Sequence, residues 1–552
     1  MSTEPITPKP PSLAAQVSRA VVWNTLFVPL RLVAEVLSTL VKLNQLSLAS
    51  FGLLAIVSGA SKLFGTAIDL GTTRALPKYI PETNRAGGAL ATLRLLQLVV
   101  AAQLGLLLVV AAGLVIFQPA FVGYLNGKII GDVRLDLDAQ TRLVDFVAGF
   151  GWLLGATVLA LLFFGICYDM LMAYLSSFFK QRAWNSVDLA AKLLPQLLIV
   201  GAILAGWEIL GVLGAMVLAP AIAVSLAAWQ VSRLCRELMA AQPELSLADA
   251  PPLRAWRSWL PTGFVRYSAV SFLMTATDLI ASVNFAIFLA GDLSDMALLW
   301  AGSSLVAMAL GYLYTPMVGV QVPLFTRVRQ GEGGTLNGAY QSLVRLQLLL
   351  LVPGAVGLML LADPALLVLG PQYRAAAAIV WVLVPCLFLE CLLTTAHNAL
   401  IVYERLPIIV ASRLITLAIV APLAWLLPER VGLVGVALAF GLARVAAGLW
   451  VTSSGVRLLG LRWPWRFTGR VALATAIMAL LLLGVRSLLP PVALDAGLIE
   501  RLGLALLLLL VAGVGAVAFF AALRLLGGLD AQDRAQLERM RLPLKRWMLR
   551  LL

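Results

Sequence analysis

The chain has 552 residues, of which 61% are hydrophobic and only 12% charged, with a formal net charge of +14 and a mean hydropathy of +0.95. These values exclude an ordinary soluble domain. The positive charge does not point to nucleic acid, because the basic residues gather in short loops between apolar runs, the pattern of a membrane protein obeying the positive-inside rule.

Runs of about twenty or more apolar residues recur along almost the whole sequence, each long enough to cross a hydrocarbon core of about 30 Å as a helix. In lipid the backbone must satisfy its own hydrogen bonds, so the class is an all-α polytopic membrane protein. About fourteen spans are predicted, near 18–42, 46–76, 88–117, 143–176, 184–206, 209–235, 259–290, 296–325, 337–362, 375–402, 407–427, 431–456, 470–489 and 502–526. With a cytoplasmic N-terminus, fifteen basic residues fall in inside loops against seven outside, so both termini are expected in the cytoplasm and the chain in the plasma membrane.

In chain order, residues 1–16 are polar and proline-rich and read as a disordered cytoplasmic tail without a cleavable signal. The first span carries Asn24, Arg31 and Glu35 at spacings that put them on one helical face, with Pro29 able to bend the helix. The second span carries Lys62 and Asp69, seven residues apart and again on one face. An outer segment near 118–142 holds Asp132, Asp136 and Asp138.

The longest cytoplasmic connection, residues 237–258, divides a six-helix bundle over 17–236 from a second over 259–460. A faint internal repeat supports the division: Pro77 and Pro323 are 246 residues apart, as are Gly87-Gly88 and Gly333-Gly334. Six crossings between the copies make this a parallel repeat about an axis along the membrane normal, as in two-lobed transporters. The second half opens with Arg266 and Asp278 in the seventh span and continues with Arg345, Glu390 and Arg413. Two extra helices occupy 461–527, and residues 528–552 alternate apolar and basic positions in the manner of an interfacial amphipathic helix.

Four cysteines without C-x-x-C spacing and a single histidine, His397, support neither a disulfide framework nor a metal site. No catalytic residue and no cofactor is expected. No Walker loop is present in the sequence, so the chain cannot hydrolyse ATP by that route.

Charges inside membrane spans cost about 2.5–3.5 kcal/mol each, and they are kept either as ion pairs that lock helices or as the lining of a wet cavity. With acids and bases on three helices, a charged central cavity between two bundles is the favoured reading. Its bases, Arg31, Lys62, Arg266 and Arg345 with Asn24 beside them, would bind a phosphate-bearing anion. Glu35, Asp69, Asp278 and Glu390 would orient those cations or exchange a coupling H+ or Na+.

Several stretches resemble the polysaccharide-exporter branch of the MOP flippase superfamily: SRAVVWN at the opening of the first helix, LASFGLLAIVSGASKLFGTAIDLGTTRALPKYIPE with its D-L-G-x-x-R close, TDLIASVNFAIFLAG containing Asp278, and the segment from VPLFTRVRQ to GPQYRAAA. The resemblance covers most of residues 15–460. It implies two six-helix bundles around an alternately opened V-shaped cavity, in a form with two extra helices, and a substrate of polyprenyl phosphate- or pyrophosphate-linked sugar moved from the inner to the outer leaflet. The peptidoglycan-precursor flippases of the same superfamily are similar but carry several arginines in the first two helices, where this chain has Arg31, Lys62 and Arg74. A multidrug antiporter would favour acids over bases in the cavity. A polytopic glycosyltransferase would need external catalytic groups, for which Asp132, Asp136 and Asp138 are the candidates. The reading is therefore a flippase, not an enzyme, with lipid-linked oligosaccharide and membrane lipids as partners and no nucleic acid.

Overall fold

The computed structural model describes residues 34–527 apart from 36, 43, 44, 179, 241–258, 315–320, 330, 332, 333 and 488–497. Asn24, Arg31, the N-terminal tail, the amphipathic C-terminal segment and most of the 237–258 connection lie outside the described residues. Within them all regular structure is helical: α1 (Leu48–Asp69), α2 (Thr72–Ile116), α3 (Gln118–Ile130), α4 (Leu137–Ser177), α5 (Gln181–Leu204), α6 (Glu208–Ala240), α7 (Phe264–Ile280), α8 (Val283–Ala286), α9 (Leu293–Tyr314), α10 (Gln321–Arg329), α11 (Leu336–Leu360), α12 (Ala362–Leu369), α13 (Ala377–Val402), α14 (Leu406–Val431), α15 (Leu433–Leu459), α16 (Trp465–Arg486) and α17 (Leu498–Leu525).

Eleven stretches among the described residues are long and apolar enough to span a membrane. The difference from the fourteen predicted has three sources. The first span is only partly described. The second and third run together over Leu48–Ile116. The seventh stops early, because α7 ends at Ile280 and the chain continues through a bend, the four-residue α8 and a 3₁₀ turn at Ile287–Leu289.

The chain folds as two compact units that are not consecutive in sequence. One comprises residues 1–45, 67–116 and 153–272; the other comprises 46–66, 117–152 and 273–552. In the first unit, the core brings Leu76, Tyr79 and Ile80 of α2 together with Leu95 and Val99 beyond its kink. Met170, Tyr174 and Leu175 of α4, Val187 of α5, Val231 of α6 and Phe264 of α7 complete it. Tyr79 meets the rings of Phe264 and Tyr267 edge-on at 5.4 and 6.0 Å, which fixes the start of α7 against α2.

In the second unit, α14 and α15 form a tight antiparallel hairpin through Gly432, and α15 and α11 both pack on α13. The extra pair α16 and α17 is docked on α11 and α12. Arg486 at the end of α16 donates to the carbonyl of Leu360 and to Asp363 Oδ2, both at 2.8 Å, and so ties the pair to the turn between α11 and α12. Phe51 of α1 stacks on Trp300 of α9 at 4.6 Å.

The internal repeat is visible in the element order. Offset by about 246 residues, α1 corresponds to α9, the first part of α2 to α10, its second part to α11, and α3 to α12. The break inside α2 falls at Gly87 and Gly88, where Gly88 has φ +70°. Its counterpart Gly334 has φ +103°. A left-handed backbone position excludes most side chains, which is why glycine stands at the same register point in both copies.

Candidate functional site

The charged side chains within the spanning helices fall into two kinds of company. Lys62 of α1 is exposed, and its Nζ donates to Asn284 Oδ1 at 3.0 Å. Asn284 lies on α8, in the interruption that follows α7. A closely approaching backbone makes the meeting possible: a Cβ at Gly59 would come within 3.1 Å of the Asn284 carbonyl, and one at Gly52 would collide with the Leu293 carbonyl. These glycines are seven residues apart, so one face of α1 is small-residue surface pressed on the 284–293 segment, with Lys62 one turn beyond. Broken helices at membrane depth expose backbone polar groups that suit substrates and ions.

Asp69, at the end of α1, stands where the chain turns into α2. Leu70 and Gly71 both have positive φ, +52° and +73°, and a Cβ at Gly71 would strike the Ser268 carbonyl and the Phe272 amide of α7. The Asp69 carboxylate accepts from the Thr73 amide at 3.0 Å and its hydroxyl at 2.6 Å, which caps α2. Gln103, itself buried, donates to Thr72 Oγ1 at 2.8 Å from the second part of α2. Asp169 of α4, which the sequence reading passed over, lies in electrostatic range of Asp69.

Arg266, on the first turn of α7, is exposed and has no hydrogen-bond or ion-pair partner among the described residues. Next to it the exposed ring of Tyr267 lies 4.7 Å from Lys78 Nζ, a cation–π contact that Tyr79 shares at 4.8 Å.

The second kind of company is the paired arginine. Arg413 of α14 bridges Asp278 of α7, and Arg444 of α15 bridges Glu390 of α13 at 2.7 Å. Arg444 also feels the Asp278 carboxylate. Two acids and two bases from four helices thus form one neutral cluster, with side chains between 22% and 36% exposed. Close by, Thr395 of α13 donates to Gln347 of α11 at 2.7 Å in a fully buried contact. Arg345 of α11 faces the ring of Phe467 on α16 at 5.3 Å, and Glu35 lies in electrostatic range of Lys42.

Three residues of these arrangements are absent from the sequence candidates: Asp169, Arg444 and Asn284. Arg444 is as much an intramembrane charge as Arg413, and the cost of inserting it was the available signal. Asn284 was not legible, since an asparagine in an apolar stretch acquires meaning only when the helix around it breaks. Of the aspartates at 132, 136 and 138, Asp132 accepts from the Ser294 amide and hydroxyl, and Asp136 caps α4 through the Ala139 amide at 2.8 Å.

No protein-family model matches the sequence, and neither does any curated protein. Solved structures do match. The chain is similar to the lipid II flippase MurJ in an inward closed conformation, with a TM-score of 0.60 and 13% identity over 89% of this chain and 98% of that one. It is similar to an inward-facing multidrug resistance MATE family transporter of the MOP superfamily, with a TM-score of 0.55 and 13% identity over 80% and 98% of the two chains. A MOP superfamily transporter from Pyrococcus furiosus, described as having a binding pocket of reverse polarity, matches with a TM-score of 0.50 and 14% identity over 80% and 95%. At these identities the likeness shows the fold alone, which this chain shares with those structures.

Proposed function

We propose that the protein is a flippase that moves a lipid-linked oligosaccharide, held by its polyprenyl phosphate or pyrophosphate, from the inner to the outer leaflet of the plasma membrane by alternating access of two six-helix bundles. The observation that carries this reading is the unequal pairing of the cations. Arg413 and Arg444 are each neutralised by a carboxylate, whereas Lys62 meets only an amide oxygen and Arg266 meets no acid among the described residues. Cations without counter-ions inside a membrane fold favour an anionic ligand, and a phosphate gives such side chains charge-assisted hydrogen bonds. Arg31 and Asn24 belong to the same expected set on the first helix.

A multidrug carrier of the same fold would need uncompensated acids instead. Among MOP superfamily structures pocket polarity varies, so the sign of the charge has to be argued from this chain: Lys62 and Arg266 favour an anion, while Asp69 and Asp169, which form no ion pair among the described residues, are the acids a cation carrier would use. Asp278 and Glu390 hold arginines, and Asp69 with its neighbour Asp169 are the acids better suited to exchange H+ or Na+. With no ATP site in the sequence, the membrane potential is the proposed drive, worth about 2.3 kcal/mol per charge per 100 mV.

The test is translocation of a defined polyprenyl-phosphate sugar in proteoliposomes. Lys62→Gln and Arg266→Gln, separately, should each depress the rate while leaving folding intact. Undiminished rates in both variants, or a rate indifferent to collapse of the potential, would remove the anion reading.

A further inference from the structure

The segment joining α3 to α4 is fastened to the turn that opens α9 by three consecutive groups of contacts, all within the second unit. Lys128, in the last turn of α3, reaches 162 residues along the chain to donate to the carbonyls of Ala290 at 2.6 Å and Gly291 at 2.8 Å, and it lies 5.6 Å from the ring of Tyr124. Asp132 is fully buried. Its Oδ2 accepts from the Ser294 amide at 2.9 Å and the Ser294 hydroxyl at 2.6 Å, while Oδ1 accepts from the Arg134 amide at 3.2 Å. Arg134 then pairs with Asp295 at 2.9 Å and Asp292 at 3.8 Å.

This is an unusual way to finish a helix. The local cap of α9 is Asp292, which accepts from the Asp295 amide at 2.7 Å, and the neighbouring Ser294 amide would remain an orphan donor without a carboxylate from a remote part of the chain. A fully buried carboxylate is costly unless its hydrogen bonds are complete, so Asp132 is stable in this position only while Ser294 and the Arg134 amide are there to meet it. Losing either partner would leave that carboxylate buried with its hydrogen bonds incomplete.

We propose that Lys128, Asp132 and Arg134 form a latch between the first and second halves of the chain, which holds one side of the transport path shut and parts once in each transport cycle. By the distribution of loop charges that side is the outer one. The inference rests on the alternating-access reading above, but the latch itself is testable without the substrate.

Two arms separate the claims. In the first, the detergent-solubilised full chain, with Cys167, Cys235, Cys386 and Cys391 replaced by alanine, carries Ser294→Cys, and the rate of its reaction with a polar maleimide is measured. The thiol should react slowly, and the added changes Lys128→Ala and Arg134→Ala should raise that rate about tenfold or more at unchanged melting temperature. A rate that those changes leave unaltered would overturn the latch. In the second, Asp132→Cys with Ser294→Cys is oxidised in proteoliposomes. Translocation of a polyprenyl-phosphate sugar should stop and return on addition of a reductant, whereas continued transport by the cross-linked chain would overturn its role in the cycle. Should the phosphate lipid fail to move in every variant while the maleimide rate responds, the flippase reading falls and the latch stands.

Discussion

Lys62 and Arg266 have the same chemistry as Arg413 of α14 and Arg444 of α15 and different company. Arg413 and Arg444 are held in a four-helix cluster with as many acids as bases, and fixed counter-ions of this kind bind helices to one another. Lys62 and Arg266 have no acid partner among the described residues, and a charge that the protein leaves unneutralised is available to something from outside. The number of intramembrane charges is therefore a poor guide to function. Their pairing is the informative quantity.

The largest test of this contrast is transport itself. Replacing Lys62 or Arg266 with alanine should lower translocation of a phosphate-linked lipid about tenfold or more, the value of one lost charge-assisted contact, with little change in melting temperature. Arg444→Met should do the reverse. It leaves Glu390 unpaired at a cost between the ~1 kcal/mol of an exposed pair and the ~3–5 kcal/mol of a buried one. The double variant with Glu390→Gln should recover most of the lost melting temperature. If Arg444→Met abolished transport at full stability, the division between structural and binding cations would be wrong.

At the next level of effect, Asp69→Ala should cost about 1 kcal/mol through the lost cap of α2, read as a lower midpoint in a thermal melt. Asp69→Asn, which keeps an acceptor oxygen, should retain stability. If Asp69 also exchanges an ion, the asparagine variant will lose the dependence of transport on H+ or Na+ while melting normally.

The smallest effect concerns pH. Burial pushes the Lys128 ammonium below its ordinary pKa, an effect that Asp292 and Asp295 partly offset. Burial likewise raises the Asp292 carboxyl. The folded form of Lys128 thus binds its proton less tightly than the unfolded chain does, so this group's penalty fades as pH rises through the folded value. Asp292 acts in the acid range, where its contribution is greatest below the unfolded pKa and is lost as pH rises through the raised one. Between neutral and about pH 9.5 Lys128 acts and Asp292 does not, so Lys128→Met should remove this group's share of the upward drift in melting temperature.

The class and most of the architecture were legible because lipid leaves the backbone few choices, and hydropathy reports the result. The D-L-G stretch at Asp69 was recognisable as a pattern, and the structure supplies its reason: a cap, a left-handed step and a close approach to α7 in three successive residues. The register of Gly88 and Gly334 was likewise legible from their spacing. The early end of α7 was not, since a continuous apolar run carries no mark of where a helix stops. Nor was the assignment of each acid to its base, because the partners Asp278 and Arg413 are 135 residues apart and sequence order says nothing about which helices will adjoin.

The 41 residues of α4 run from Leu137 to Ser177 in one unbroken helix, about 60 Å at 1.5 Å per residue and twice the thickness of a hydrocarbon core. A rod of that length is a lever: tilting it by about 5° displaces its tip by about 5 Å, more than a hydrogen bond can stretch. Its tip, Leu137, lies three residues beyond Arg134, so a modest lean about the far end of the shaft is mechanically sufficient to pull a buried carboxylate off its serine.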